Sequence, residues 1–167
     1  MSLKLRRVIT GHDASGRAVV KIDEIAKNIS SRRQGIASTV VWSTNTFPVN
    51  NEGDEDAGQR ELGTTLDNGT VFRVVRYEPG VVPRRHRTDS VDYAIVIKGE
   101  IDMELDGETV TLRAGDVLVQ RGTVHNWVNR SNAPAIVAFV LVAAKPDRKS
   151  TRLNSSHTDI SHMPSSA

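Results

Sequence analysis

Two segments decide how this chain is read: Gly80–Gly99, GVVPRRHRTDSVDYAIVIKG, and Gly115–Asn129, GDVLVQRGTVHNWVN. Each holds one histidine, His86 and His125, and each follows the alternation of a strand. Side chains two apart on a strand point the same way. Arg84, His86 and Thr88 therefore share one face, with Arg85 and Arg87 on the other. In the second segment His125, Trp127 and Asn129 share a face. Arginine, histidine and threonine fill a closed apolar core poorly, so this shared face reads as the wall of a pocket. Arg85 and Arg87 read as solvated.

Outward from these segments the same pattern repeats. Asn68-Gly69, Pro79-Gly80, Gly99-Glu100, Asp106-Gly107 and Ala114-Gly115 mark turns. Between them lie strands at 71–77, 91–98, 101–105, 108–112, 116–120, 124–130 and 135–143. Short strands at this spacing, with almost no helix, argue for an all-β sandwich or barrel. Upstream, Leu5 to Asp23 reads as a hairpin turning at HDASG, with His12 in solvent. Weak helical spacing of Ile22, Ile25, Ala26 and Ile29 predicts one or two helical turns ended by Gly35. Ser38–Thr44 reads as a strand with Trp42 in the core. Asn45 to Leu66 is long and polar. Its acidic residues Glu52, Asp54, Glu55 and Asp56 lack the spacing of a calcium loop and read as a solvated run. Near a barrel mouth this loop is placed to act as a lid.

The spacings of the two histidine segments resemble the paired motifs of the cupin superfamily. That resemblance implies a single-domain, cupin-type double-stranded β-helix, or jelly-roll barrel. It also implies a pocket between the motifs that usually holds a divalent metal. His86 and His125 match two of the family's four ligand positions. Thr88 stands where a second histidine is usual, and Asp92 where a glutamate is usual. The second motif is one residue shorter between Gly115 and Gly122, and Arg121 replaces a proline.

Three chemistries stay open for this set. His86, Asp92 and His125 can form a two-histidine, one-carboxylate site for one divalent metal (Fe, Mn, Ni or Zn). A metal-free site can use Asp92 to orient His86 as a general acid/base. The pocket can also bind a small molecule without turnover. Arg84, with its planar fork, suits a carboxylate of an acidic substrate. Thr88, Tyr93 and Trp127 are the other candidate substrate contacts, and Met103 is a candidate apolar wall. Single-domain cupins with these motif variants occur in secondary-metabolite pathways. The resemblance thus implies an enzyme acting on an organic acid, ketone or polyketide-like intermediate by oxidation, decarboxylation, cyclisation or isomerisation. A non-catalytic binding or regulatory cupin is the alternative. A homodimer formed through sheet edges is also implied.

Composition narrows the classes further. The 167 residues are 38% hydrophobic and 25% charged, with net charge +2 and no cysteine. That fits one globular domain and excludes disulfides and thiolate chemistry. No basic block suggests a nucleic-acid partner. No apolar run approaches the roughly 18 residues of a membrane span. The N-terminus lacks the apolar stretch of a secretion signal, so a cytoplasmic protein is expected. The chain divides into N-terminal strands and a polar loop packing on the barrel (1–66), the barrel itself (67–146) and a tail (147–167). The tail, DRKSTRLNSSHTDISHMPSSA, resembles a translated sequencing adapter and is read as non-native and disordered. Setting it aside removes His157 and His162 and leaves His12, His86 and His125.

Overall fold

A computed structural model describes residues 2–146. The tail, with His157 and His162, lies outside the described residues. Eleven strands carry the fold: β1 (Arg6–His12), β2 (Ala18–Ile25), β3 (Ile29–Ser30), β4 (Ile36–Thr44), β5 (Thr70–Tyr77), β6 (Ser90–Lys98), β7 (Glu100–Glu104), β8 (Thr109–Arg113), β9 (Val117–Arg121), β10 (Asn126–Val128) and β11 (Ala135–Ala143). The one helical element among the described residues is a 3-10 turn, Ala57–Gln59. The fold is all-β, as the strand pattern predicts, and it is the jelly roll that the motif resemblance implies.

Two sheets enclose the core. A six-stranded sheet runs β3-β4-β5-β11-β6-β9, and a three-stranded sheet runs β10-β7-β8. β11 shows why they close on each other. In AIVAFVLVA the residues Ala135, Val137, Phe139 and Leu141 are buried, while Ile136, Ala138 and Val140 turn to the far side. The buried set meets Val71, Val75 and Tyr77 of β5 and Val96 of β6. From the opposite sheet it meets Ile101, Met103, Leu112 and Trp127. Burying such side chains contributes about 1.5–3 kcal/mol each, so this shared face holds the sheets together. Gly99 lets the chain cross between sheets. It has φ +77, and a Cβ there would lie 2.5 Å from the Pro134 carbonyl oxygen. Met103 is core, and it does not line the cavity described below.

The N-terminal third departs from expectation in three ways. The helical turns expected before Gly35 are absent. Glu24 and Ile25 complete β2, and Ile29–Ser30 pairs with Thr39 and Ser38 of β4. The open edge of β4 and the Asn28 amide, which donates to the Val40 and Gly58 carbonyls, outweigh a weak helical pattern. β4 pairs with β5 from Ile36–Tyr77 to Thr44–Thr70, so the segment before residue 66 shares a sheet with the barrel. The acidic cluster is only partly solvated. Asp56 accepts from the Gly58 amide at 3.0 Å and pairs with Arg7, whose side chain is 1% exposed. Glu55 pairs with Arg60 and Asp54 with Lys21. Trp42 is half-buried on the outer side. A bulge at Val41 shifts the register so that Trp42 faces Phe72 of β5.

Candidate active site

The two histidines meet across the gap between motifs. His86 and His125 form an antiparallel bridge outside the named strands. Each backbone amide donates to the other's carbonyl, at 2.9 and 2.8 Å. Gly122, with φ +65, turns the chain out of β9 so that His125 reaches this bridge. The rings lie 4.5 Å apart between centroids.

Backbone carbonyls also fix the ring orientation. Nδ1 of His86 lies 2.9 Å from the Arg84 carbonyl oxygen, and Nδ1 of His125 lies 2.8 Å from that of Thr123. A carbonyl only accepts, so both rings carry their proton on Nδ1 while neutral. The Nε2 lone pairs are left for the cavity. Burial, the neighbouring His125, and the charges of Arg84 and Arg33 push His86 down to about 3. Burial, and to a lesser extent Arg84, also lowers His125. Both rings are therefore neutral at physiological pH.

A cavity of about 800 Å³ opens in front of the histidines. Arg84, Thr88, Asp92 and Trp127 line it with them, as expected. Trp127 forms an aromatic wall with Tyr77, at 6.4 Å, and Phe139, edge-on at 5.3 Å. Asp92 sits in a buried chain: Thr88 Oγ1 and Ser90 Oγ are 2.7 Å apart, and Ser90 donates to Asp92. Burial raises Asp92 to about 6, against the opposing effects of Ser90 and Arg73.

Three expectations for this region change. Tyr93 does not line the cavity; it is 49% exposed on the outer face. It follows Asp92 directly in β6, and adjacent strand residues face opposite sides. Arg87 is buried rather than solvated and pairs with Asp89 at 2.9 Å, whereas Arg85 is exposed beside Asp106. Asp92 does not orient His86, whose ring is set by the Arg84 carbonyl. The proposed metal set is affected too. Among the described residues no three His, Asp or Glu side chains gather to hold an ion. Asp92 does not gather with the two histidines around one point in this geometry. Asn129, which shared a face with His125 in the sequence pattern, ties Tyr77 and Ala133 carbonyls together and is structural.

Several site residues escaped the sequence reading. Arg33, Arg73 and Tyr77 line the cavity, as does the segment 58–64 of the long polar loop. Arg73 carried a usable signal, because it is in phase with Val71, Val75 and Tyr77 on the core face of β5. Arg33 carried none, since it precedes β4 in an irregular segment.

A cupin-domain family model matches residues 73–142. A cupin-domain-containing oxidoreductase, fogC of Aspergillus ruber, is 39% identical over 145 residues, spanning 81% of this chain and 71% of that protein. This chain is a cupin. The matched region holds β5 to β11 almost entire, and with it both histidines of this cupin. Phomopsin biosynthesis cluster protein C' of Diaporthe leptostromiformis is 39% identical over 149 residues, spanning 84% of this cupin and 79% of the relative. The oxidoreductase virC of Hypocrea virens is 37% identical over 149 residues, spanning 84% and 76%. Among the described residues of the cupin, no helix is long and apolar enough to cross a membrane.

Proposed function

We propose that this cupin is a cytoplasmic small-molecule enzyme of the oxidoreductase-like kind, working as a homodimer on an organic acid, ketone or polyketide-like intermediate. The observation that carries this reading is the pair of neutral imidazoles, His86 and His125. Their Nδ1 atoms are held by carbonyls, and their Nε2 lone pairs are left for an 800 Å³ cavity. Two such nitrogens can each accept a hydrogen bond from an O–H or N–H group of a bound substrate and fix its position. The aromatic wall of Tyr77, Trp127 and Phe139 holds a flat organic body and excludes water. Relatives named as oxidoreductases and as biosynthesis-cluster proteins support a place in a secondary-metabolite sequence.

A second reading, favoured by the carbonyl bonds at both Nδ1 atoms, has the two Nε2 atoms ligate a divalent metal. A metal held there by His86 and His125 would supply Lewis-acid or redox chemistry. Metal analysis of the untagged protein decides between the readings, with near-stoichiometric Fe, Mn, Ni or Zn supporting the second. The enzymatic reading itself is tested by metabolite profiling. A host expressing the gene and its genomic neighbours is compared with one carrying His86→Gln and His125→Gln. Accumulation of a precursor only in the variant supports an enzyme. An unchanged profile overturns it in favour of a binding or regulatory cupin.

A further inference from the structure

The charges around the cavity are unbalanced. Arg32, Arg33, Arg60, Arg73 and Arg84 line it, against the carboxylates of Glu61 and Asp92. Two of these cations are accounted for: Arg60 is held by Glu55 at 2.7 Å, and Arg32 is exposed. The other three have no carboxylate within ion-pair distance among the described residues. Among the described residues Arg33 donates to the Val82 carbonyl, at 2.6 Å, and to no other. Arg73 donates to the Gly63 and Thr64 carbonyls at 2.8 and 3.2 Å, and its buried Nε has no hydrogen-bond partner. For Arg84, the backbone amide is held by the Asn126 side chain, and the guanidinium has no such tether. Arg33 is partly desolvated and feels the like charge of Arg84, and both effects lower it. Guanidinium groups gathered at a low-dielectric wall without counter-charges destabilise the empty pocket, and an anion relieves that cost.

We propose that the cavity is built for a carboxylate-bearing aromatic substrate, its carboxylate held by Arg33 and Arg84 beside the histidines and its ring against Tyr77, Trp127 and Phe139. Asp92 does not compete for these arginines, because Ser90 holds its carboxylate. Arg73 also lines the cavity and adds positive potential there; it acts on both Tyr77 and Asp92. A guanidinium fork matches a planar carboxylate in two parallel hydrogen bonds, which an amide of the same shape cannot reproduce. The proposal names the substrate class for the pocket of the preceding section and rests on that pocket being a ligand site.

Calorimetric titration tests it without any need for turnover. The probes are benzoate and 2-naphthoate, each against its primary amide. The expected result is that a carboxylate binds at least tenfold tighter than its amide. Arg33→Met and Arg84→Met should each cut carboxylate affinity at least tenfold while leaving amide affinity unchanged. Arg85→Met, which removes an exposed charge outside the cavity, should leave both unchanged. Equal affinity for carboxylate and amide, or no binding of either, overturns the proposal, and this comparison needs only the unmodified protein. An Arg85→Met loss as large as that of Arg33→Met would also overturn it, since it would show a general charge effect. Anion binding that persists beside an unchanged metabolite profile would sink the enzymatic reading and leave this one standing.

Discussion

At the scale of single residues, the neutrality of the histidine pair has consequences that can be measured. The cavity needs both Nε2 atoms unprotonated, and burial with nearby cations keeps them so. In an NMR titration, the ring C–H signals of His86 should not move between about pH 8 and pH 5, and His125 should titrate below the ordinary histidine value. A histidine free in solution titrates at about 6.5. Movement of the His86 signal near that value would defeat the assignment. Linkage gives a second consequence. Folded His86, at about 3, binds fewer protons than unfolded His86, whose value is 6.5. Stability must then fall as pH drops below that unfolded value. Asp92, raised from 3.8 to about 6, binds more protons when folded and acts with the opposite sign between those values. Urea unfolding from pH 7 to about pH 4 should show a smaller loss in His86→Gln and a steeper one in Asp92→Asn. Parallel pH curves for all three proteins would contradict these shifts. Much of this site was legible beforehand. His86, His125, Arg84, Thr88, Asp92 and Trp127 followed from alternation within two short segments. Arg33 and the roles of the Nδ1 atoms were not legible, because irregular backbone and carbonyl direction leave no periodic trace.

At the scale of elements, one ion-pair cluster decides whether the cavity wall stays in place. Arg7 of β1 reaches Glu24 of β2 at 2.7 Å and Asp56 at 2.8 Å. Asp56 caps the 3-10 turn, and the residues after it, 58–64, wall the cavity. The β1–β2 hairpin is thus a brace for the long loop. Gly58 fits under the brace only without a side chain, since a Cβ would lie 2.6 Å from the Val41 carbonyl oxygen and 2.7 Å from Arg7 Nη1. Removing one partner from a buried pair costs about 3–5 kcal/mol, and Arg7→Met belongs at the lower end, about 3 kcal/mol. Glu24 and Asp56 keep 31% and 26% of their side chains exposed, so water recovers part of the loss. Arg7→Met should also weaken benzoate binding, although Arg7 lies outside the cavity. Urea unfolding and the same titration check both effects; a loss below about 1 kcal/mol would remove the brace from the account. The strand positions could be anticipated because period-two alternation and Gly-containing turns recur from Asn68 to Gly115. The brace could not, since its partners are 49 residues apart and the acidic run looks solvated when read alone. β3 escaped for a related reason: two residues show no period, and only the edge of β4 makes them a strand.

At the scale of the whole molecule, the described residues cover the outer side of the six-stranded sheet over one half. Leu3 and Leu5 pack on Ala37, Val41 and Val74, which closes the half built from β4 and β5. The other half carries an aligned apolar surface. Phe72, Val140, Tyr93 and Val119 stand in register across β5, β11, β6 and β9, with Ile95 and Val117 in the next row. Tyr93, Ile95 and Ile97 are 49%, 50% and 51% exposed, and Val119 and Val117 are 59% and 71% exposed. Continuous apolar surface of this kind is costly to leave in water and marks an interface. β9 is also an edge strand with unpaired backbone groups, which the protein must cover or block. A second copy solves both problems at once. A two-fold axis beside β9 presents the same apolar patch from each protomer, and an isologous contact closes without leaving a free surface to build on. The expected state is therefore a dimer. Sedimentation velocity on the intact protein at micromolar concentration should give roughly twice the chain mass of 18.3 kDa. Val119→Lys and Ile95→Lys place a charge in the middle of the patch and should shift the protein to monomer. The cavity lies on the opposite face of the sheet, so benzoate affinity in these monomers should stay within about twofold of the dimer. A wild-type monomer at those concentrations would rule out the second copy as occupant of this face. A dimer undisturbed by both lysines would move the contact elsewhere on the surface.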